Sequence, residues 1–326
     1  MDPFQYTKAT DADTAVATLL AHERAAYLAG GTNLVDRMRR NVAHHDSIVD
    51  VSELPLATIE ARDGGLRLGA MASNSATADH PDVRRDYPLL AEAILMGATD
   101  QLRNKATNGG NLMQRTRCYY FMSPEFPCNK REPGSGCPAI GGFNRILSVL
   151  GTSESCIASY PSDMSTALAA LDAVVRIRTA DGDERSLPLI DFHKLPGDTP
   201  ERDNYLERGE LITAIDLPAE TKKFAGHSTY LKTRDRHSYA FALVSVAAGL
   251  LVENGTITDA RLALGSVAAK PWRDKAAEQR LVGQAPSPEL FREVAEQVMA
   301  DARGYGENDF KIELAKRAIV KAFGRL

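Results

Sequence analysis

The segment Arg117–Gly142 constrains the fold most, because it joins two features that rarely occur together. It contains four prolines and four glycines, which disfavour both a continuous helix and a regular strand. It also contains three of the four cysteines of the chain, and the fourth, Cys156, follows shortly after it. No cysteine lies outside residues 118–156 of the 326-residue chain. The sequence therefore predicts a long irregular loop in which the thiols have a local purpose.

The composition is that of a globular protein without a strong charge. Hydrophobic residues make up 44% of the chain, enough to fill cores, and the formal net charge is only −4. Because basic and acidic side chains are interspersed, we expect no nucleic-acid partner. The first residues lack a basic region followed by an apolar run, and no apolar stretch reaches the roughly 20 residues of a membrane helix. We therefore expect neither an export signal nor a membrane span.

The pattern of apolar residues predicts three successive parts of mixed helix and strand content. Residues 1–55 combine short helices and strands around a glycine loop. Residues 56–220 contain strands, helical stretches before the cysteines, and a helix that begins at Ser162. The pattern in residues 221–326 predicts an antiparallel sheet with a hairpin turn at Glu253-Asn254-Gly255, covered by two helices. The overall prediction is an α+β protein.

Two similar glycine loops stand in the first two parts. Ala29–Leu34 reads AGGTNL and lies between a strand and a helix, and Thr107–Leu112 reads TNGGNL. Paired glycines allow the main chain to approach a ligand and to point N–H groups at an anion such as a pyrophosphate. Neither loop matches the dinucleotide or Walker phosphate-binding motifs. Two tight turns whose glycines only permit positive φ angles are the alternative interpretation.

The four cysteines have the spacing C-x9-C-x8-C-x18-C, which leaves several kinds of site open. Free structural thiols, two disulfides, a four-cysteine zinc site and an iron-sulfur cluster are the candidates. Zinc ribbons usually supply ligands as C-x-x-C pairs, whereas iron-sulfur clusters tolerate irregular loops. Four basic residues beside the cysteines would offset the negative charge of a four-thiolate cluster: Arg115, Arg117, Lys130 and Arg131. The spacing favours zinc and iron-sulfur equally, with disulfides behind them.

Three motifs together resemble the FAD-binding subunit of the xanthine dehydrogenase and molybdenum hydroxylase family. They are the two glycine loops and the helix start Ser162-Asp163, and the resemblance extends over nearly the whole chain. It implies a two-part FAD-binding domain of the vanillyl-alcohol-oxidase/PCMH type in residues 1–55 and 56–220. A C-terminal antiparallel sheet with helices, of the CO-dehydrogenase flavoprotein type, would follow in residues 221–326.

The cysteine segment looks like an insertion into this family fold. Most members pass almost directly from the second glycine loop to the Ser-Asp motif, whereas here residues 114–157, approximately, intervene. With its QRTRC, PCNK and PGSGC elements, the insertion resembles that of the flavin subunit of bacterial periplasmic aldehyde oxidoreductase and, less closely, that of 4-hydroxybenzoyl-CoA reductase. Both hold a [4Fe-4S] cluster at this place. The resemblance therefore implies that such a cluster is bound by Cys118, Cys128, Cys137 and Cys156.

The resemblance also implies positions for FAD. The first loop and the strand before it would hold the pyrophosphate through Ala26, Tyr27, Leu28, Ala29, Gly30, Gly31, Thr32, Asn33 and Leu34. Thr107, Gly110 and Asn111 would form the second loop. Asp163 would accept hydrogen bonds from ribityl hydroxyls, Lys232 would lie near the flavin, and Ile212 would flank the adenine.

Some of these positions have plain structural alternatives. Asp163 is also explained as a charge at a helix start, and Ile212 as a strand residue. Tyr239 is either a flavin neighbour or a buried structural tyrosine, and Trp272 is assigned to the core. The seven histidines show no metal or triad spacing, so we place them at the surface or in loops and predict no catalytic residue.

The function implied by the resemblance is electron transfer within a heterotrimeric molybdenum hydroxylase. A large subunit with the molybdenum cofactor would oxidise aldehyde to carboxylic acid, and a small subunit with [2Fe-2S] clusters would pass electrons to FAD here and on to an external acceptor. Three alternatives remain: a 4-hydroxybenzoyl-CoA reductase subunit, a zinc-bearing binding module without flavin, and a self-contained flavin oxidoreductase. The likeness also implies a periplasmic complex exported on a partner's twin-arginine signal, with a cytoplasmic complex as the alternative.

Overall fold

The first part of the chain folds as a small parallel sheet with two short helices. The computed structural model describes residues 1–326. The elements of this part are β1 (Gln5–Lys8), α1 (Ala12–Leu20), β2 (Ala25–Leu28), α2 (Leu34–Arg39) and β3 (Ser47–Asp50). The central strand is β3, which is parallel to both neighbours and whose four residues are all buried. Strand β2 lies at an edge of this sheet and leads directly into the first glycine loop, Ala29–Leu34.

The second part is built around an antiparallel sheet of five strands. These are β4 (Ile59–Arg62), β5 (Gly65–Gly69), β6 (Val174–Arg178), β7 (Glu184–Pro188) and β8 (Leu211–Leu217), in the order β4-β5-β8-β6-β7. The helices are α3 (Asn74–Asp79), α4 (Pro81–Asp86), α5 (Pro88–Met96), α6 (Asp100–Arg103), α7 (Asn108–Leu112), α8 (Asp163–Ala170) and α9 (Leu189–Phe192). No helix or strand occurs between α7 and α8, as the prolines and glycines of the cysteine segment predict.

The third part is an antiparallel sheet of three strands covered by helices. Its elements are β9 (Ser228–Thr233), β10 (Val244–Glu253), β11 (Thr256–Gly265), α10 (Lys275–Leu281), α11 (Pro288–Val298) and α12 (Phe310–Phe323). A short 3-10 helix, Ala219–Phe224, precedes the sheet. The turn between β10 and β11 contains Asn254 and Gly255 with φ angles of 50° and 77°, the left-handed conformation that a two-residue hairpin turn requires.

Three hydrophobic clusters hold these parts together. The largest joins α1, the five-stranded sheet, α5 and α8, and it includes Tyr230 and Ala247 of the third part. A second cluster lies in the third part and includes Val149 and Leu150 from the cysteine-containing insertion, residues 114–157. The third is formed mostly by the cysteine-containing insertion, and Val42 of the first part and Tyr305 of the third part pack with it. Apolar burial, at about 25 cal/mol per Å², thus anchors the irregular segment to its neighbours. None of the helices has both the length and the apolar character needed to cross a membrane.

Candidate functional site

The two glycine elements lie against each other. A Cβ atom added to Gly30 would lie only 1.8 Å from the carbonyl oxygen of Lys105, in the chain that leads into the second element. Only glycine allows this approach. Gly31, with a φ angle of 73°, provides the left-handed residue before α2. All residues from Ala26 to Leu34 are partly exposed, so the loop is accessible to a ligand.

The second glycine element is one turn of helix, not the open loop that the sequence predicted. Thr107 is the N-cap of α7, and its hydroxyl oxygen accepts a hydrogen bond from the N–H of Gly110 at 3.1 Å. Asn108 is buried, and its amide donates to the carbonyl oxygen of Gly69 at 3.1 Å. The cap and this packing outweigh the low helix propensity of the paired glycines.

Asn111 connects the second glycine element to the start of α8. Its side-chain amide donates to Asn74 Oδ1 at 2.7 Å, and its Oδ1 accepts from the hydroxyl of Ser162 at 2.6 Å. Ser162 is the N-cap of α8, where it accepts from the N–H of Ser165. The structure therefore places Asn111 directly beside the helix that begins with Asp163.

Asp163 and Lys232 form a buried ion pair. The Nζ of Lys232 donates to Asp163 Oδ2 at 2.8 Å and to the carbonyl oxygen of Met96, at the end of α5, at 3.0 Å. The side chain of Asp163 is only 8% exposed and that of Lys232 only 1%. The hydroxyl of Tyr230 donates to the other carboxylate oxygen at 2.7 Å, and burial raises the Tyr230 pKa well above its ordinary value. A carboxylate has about four acceptor positions, so two remain for a ligand.

The other residues singled out from the sequence have different surroundings. The hydroxyl of Tyr27 donates to the carbonyl oxygen of Gly209 at 3.2 Å, which holds β2 near the start of β8. Ile212 is buried in the main core, as a strand residue would be, and its contact with adenine stays a prediction. Tyr239 is 55% exposed, so its interpretation as a buried structural residue is wrong. Trp272 packs against the second core.

The first glycine loop contains a hydrogen-bond donor without a partner. The side-chain Nδ2 of Asn33 is buried and unpaired, whereas its Oδ1 accepts from the N–H of Arg115 at 3.2 Å. The Nε of Arg37, in the helix that follows, is also buried and unpaired. An unsatisfied buried donor costs about 1–3 kcal/mol, which an acceptor oxygen of a ligand would recover. The residues present therefore fit a phosphate-bearing cofactor such as FAD.

His193 is the exception to the prediction that the histidines lie at the surface or in loops. It is 2% exposed, and its Nε2 lies 3.0 Å from the carbonyl oxygen of Leu112, the last residue of α7. The hydroxyl of Tyr160 donates to the same oxygen at 3.0 Å, and the two rings pack with centroids 4.3 Å apart. The apolar residues around His193 were the signal that the sequence analysis missed. Together the two side chains hold the end of α7.

Acidification is expected to destabilise the fold through His193. Burial lowers its pKa from 6.5 to about 4, so the unfolded chain takes up the proton first as the pH falls below 6.5. Between pH 7 and pH 5 this residue alone should lower the free energy of unfolding by about 2 kcal/mol. Denaturant unfolding at both pH values should therefore show a smaller loss for His193→Gln than for the wild type. Equal losses in the two proteins would contradict the assignment.

The four cysteines line one cavity. Its wall contains 13 residues, among them all four cysteines and the apolar or aromatic side chains of Tyr120, Phe121, Ala139 and Ala158. Cys118, Cys128 and Cys156 are buried, Cys137 is partly exposed, and none forms a disulfide. Burial raises the pKa of Cys118 to about 12 and that of Cys156 to about 11. The irregular segment thus gathers thiols that are far apart in sequence.

The cavity offers thiol ligands, the type that both zinc ions and iron-sulfur clusters use. Tetrahedral zinc would be held by Zn–S bonds of about 2.3 Å. A [4Fe-4S] cluster has iron and sulfide between its thiolates, so its ligands surround a cavity. The N–H of Ala158 also donates to the sulfur of Cys156 at 3.4 Å, a contact typical of iron-sulfur sites.

Comparison with known proteins identifies the family. Residues 2–220 match the FAD binding domain in molybdopterin dehydrogenase, and residues 229–326 match the CO dehydrogenase flavoprotein C-terminal domain. The chain therefore belongs to the FAD-binding subunits of the xanthine dehydrogenase and molybdenum hydroxylase family. The predicted fold class, a two-part FAD-binding domain followed by an antiparallel sheet with helices, is confirmed.

Individual relatives cover almost the whole chain. It is 46% identical over 320 residues to the aldehyde oxidoreductase FAD-binding subunit PaoB of Escherichia coli K12, a match that covers 98% of this chain and 96% of that one. It is 25% identical to the glyceraldehyde dehydrogenase medium chain of Sulfolobus acidocaldarius, over 98% and 97% of the two chains. A solved structure of carbon monoxide dehydrogenase from Hydrogenophaga pseudoflava, 24% identical, has a TM-score of 0.77 over 99% and 96% of the two chains, which shows the fold.

Proposed function

We propose that the chain is the FAD- and [4Fe-4S]-containing electron-transfer subunit of a molybdenum-dependent aldehyde oxidoreductase. The observation that carries the proposal is the cavity lined by all four cysteines, in the segment between the second glycine element and Asp163. The 46% identity to an aldehyde oxidoreductase subunit supports the aldehyde class. Electron transfer needs cofactors held at fixed positions. Hydrogen-bond donors and acceptors would hold FAD, and the thiols would hold the cluster.

FAD would lie across the two glycine elements and the start of α8. Gly30 and Gly31 would leave room for the pyrophosphate, and the unpaired amide of Asn33 would donate to it. Asp163, held in place by Lys232, would accept from ribityl hydroxyls. When bound, FAD accepts electrons one at a time and releases them singly or in pairs. The protein's part is to orient the cofactor through these fixed groups.

The cluster would be bound in the cysteine cavity. Four thiolates would hold it, and it supplies one-electron chemistry when present. The apolar wall, which includes Phe121 and Ala139, would limit access of water. Solvent exposure and hydrogen bonds to sulfur set the potential of such a cluster, so this wall matters for its redox properties.

The subunit would work within a larger complex. A large subunit would carry the molybdenum cofactor, a small subunit would carry [2Fe-2S] clusters, and an external acceptor would take electrons from FAD. Relatives that are described as an FAD-binding subunit and a medium chain support such an assembly. A periplasmic location, reached on a partner's twin-arginine signal, is part of the proposal, and cell fractionation tests it.

Cys128→Ser is expected to remove the cluster and leave FAD in place. In the purified complex, about four iron atoms and four sulfides should be lost relative to the wild type, because one of four thiolate ligands is missing. Chemical analysis of iron, sulfide and flavin measures this. Ser155→Ala, on the wall of the same cavity, is the matched control and should keep the cluster. Unchanged iron in Cys128→Ser would refute the ligand assignment, and bound zinc in the wild type would favour a zinc site.

A further inference from the structure

A chain of polar contacts connects the first glycine loop to the cysteine cavity. Asn33 of the loop accepts a hydrogen bond from the N–H of Arg115 at 3.2 Å, and the guanidinium of Arg115 pairs with Asp203. The other carboxylate oxygen of Asp203 accepts from Lys130 Nζ at 2.6 Å. Lys130 belongs to the wall of the cysteine cavity. One carboxylate, distant in sequence from both elements, therefore links them.

Lys130 is a buried cation beside the thiols. Its side chain is 4% exposed, and its Nζ also donates to the carbonyl oxygen of Pro200 at 2.6 Å. Lys130 lines the same cavity as Cys128 and Cys156, so its positive charge lies next to the space that the thiols surround. Salt in solution screens such a buried charge much less than a surface charge.

Asp203 balances a local excess of positive charge. Burial raises its pKa, but Arg115 and Lys130 outweigh this effect and hold the pKa below its ordinary value. Burial and the nearby charges of Arg115 and Arg117 lower the pKa of Arg37 to about 10, which shows how closely the cations are gathered. Removal of the Asp203 charge would leave Arg115 and Lys130 uncompensated next to the cavity.

We propose that Asp203 and Lys130 are a positioning pair that sets the reduction potential of the cluster in the cysteine cavity. This inference rests on the proposed function. Reduction adds one electron to a group that already carries the charge of its thiolates, so a nearby cation favours the reduced form and a nearby anion disfavours it. Lys130 is positive and Asp203, which binds it, is negative. Removal of the two side chains should therefore shift the reduction potential in opposite directions.

The test is a redox titration of the cluster, followed by its EPR signal, in the purified complex. Asp203→Asn should raise the midpoint potential and Lys130→Gln should lower it, each by about 59 mV. For a one-electron couple this shift changes the ratio of reduced to oxidised cluster about tenfold at a fixed potential. Lys130→Arg keeps the charge and should stay near the wild type. Asp216→Asn is the matched control, since Asp216, like Asp203, pairs with two basic side chains, here Arg67 and Arg176, but neither it nor these partners are part of the cavity wall, so its loss should not move the potential.

The outcomes separate this inference from the proposed function. A wild-type complex without iron and sulfide in the cysteine cavity would overturn the proposed function itself. A normal cluster whose potential is unchanged in Asp203→Asn and Lys130→Gln, or shifts in the same direction in both, would overturn only the role of the pair. If Asp203→Asn does not fold, the comparison of Lys130→Gln with Lys130→Arg decides: equal potentials in those two variants would contradict the inference.

Discussion

Gly30→Ala is expected to remove FAD from the protein while most of the fold persists. The added methyl group would lie 1.8 Å from the carbonyl oxygen of Lys105 and 2.6 Å from its carbonyl carbon. Because both are main-chain atoms, rotation of a side chain cannot relieve the clash, and the first glycine loop must move away from the second element. Overpacking of this kind costs about 1–3 kcal/mol. Because FAD binding would require the two glycine elements to stay in contact, the FAD-bound protein bears this strain, and FAD affinity falls roughly 10- to 100-fold.

Flavin absorption after gel filtration measures this loss. Gly324→Ala is the matched control, since Gly324 has a φ angle of −68° at the end of α12 and an added Cβ would lie 3.2 Å from the carbonyl oxygen of Val320. This control should retain FAD at the wild-type level. If Gly30→Ala retains as much FAD as the control, the contact between the two glycine elements is not needed to hold the cofactor.

Lys232→Met is expected to cost about 3–5 kcal/mol of folding free energy, because it leaves the buried carboxylate of Asp163 without its cation. Only the hydroxyl of Tyr230 would still donate to that carboxylate. The carbonyl oxygen of Met96 at the end of α5 would lose one of its two donors and keep only the guanidinium of Arg234, at 3.2 Å. Since Asp163 is the first residue of α8 and Lys232 lies in β9, the packing of this helix against β9 should become looser. FAD content should fall together with the free energy of unfolding.

A double-mutant cycle with Asp163→Asn isolates the ion pair. Denaturant unfolding should show that the double variant is less destabilised than the sum of the two single variants, by more than about 1 kcal/mol. Lys223→Met provides the comparison with an exposed pair: Lys223 is 47% exposed and bonds Asp259 at 2.6 Å, and its loss should cost at most about 1 kcal/mol. Additive effects of Lys232→Met and Asp163→Asn would show that the two residues do not stabilise each other.

Features with a local cause could be predicted from the sequence. The turn at Asn254-Gly255 follows from the two residues that tolerate positive φ angles, and the start of α8 follows from the capping side chain of Ser162. The absence of regular structure in Arg117–Gly142 follows from its prolines and glycines. The spacing of the cysteines already favoured a metal or cluster site, and only the family resemblance favoured an iron-sulfur cluster over zinc.

Features that depend on distant partners could not be predicted. Strand β8 lies at the centre of its sheet although it contains a charge, because Asp216 is paired with Arg67 and Arg176 on the two neighbouring strands. The burial of His193 depends on Leu112 and Tyr160. The link that Asp203 makes between Arg115 and Lys130 also spans long distances in sequence. Sequence periodicity contains no information about such contacts.

Electron transfer from aldehyde to FAD in this chain is tested most directly by anaerobic reduction of the assembled complex. Purified wild-type and Gly30→Ala complexes are mixed with an aromatic aldehyde, while flavin absorption, the [2Fe-2S] EPR signals and reduction of an external acceptor are recorded. We expect the wild type to bleach its flavin band and reduce the acceptor, and the FAD-depleted variant to reduce only its iron-sulfur centres. Acceptor reduction at the wild-type rate by the FAD-depleted complex would contradict the proposed function.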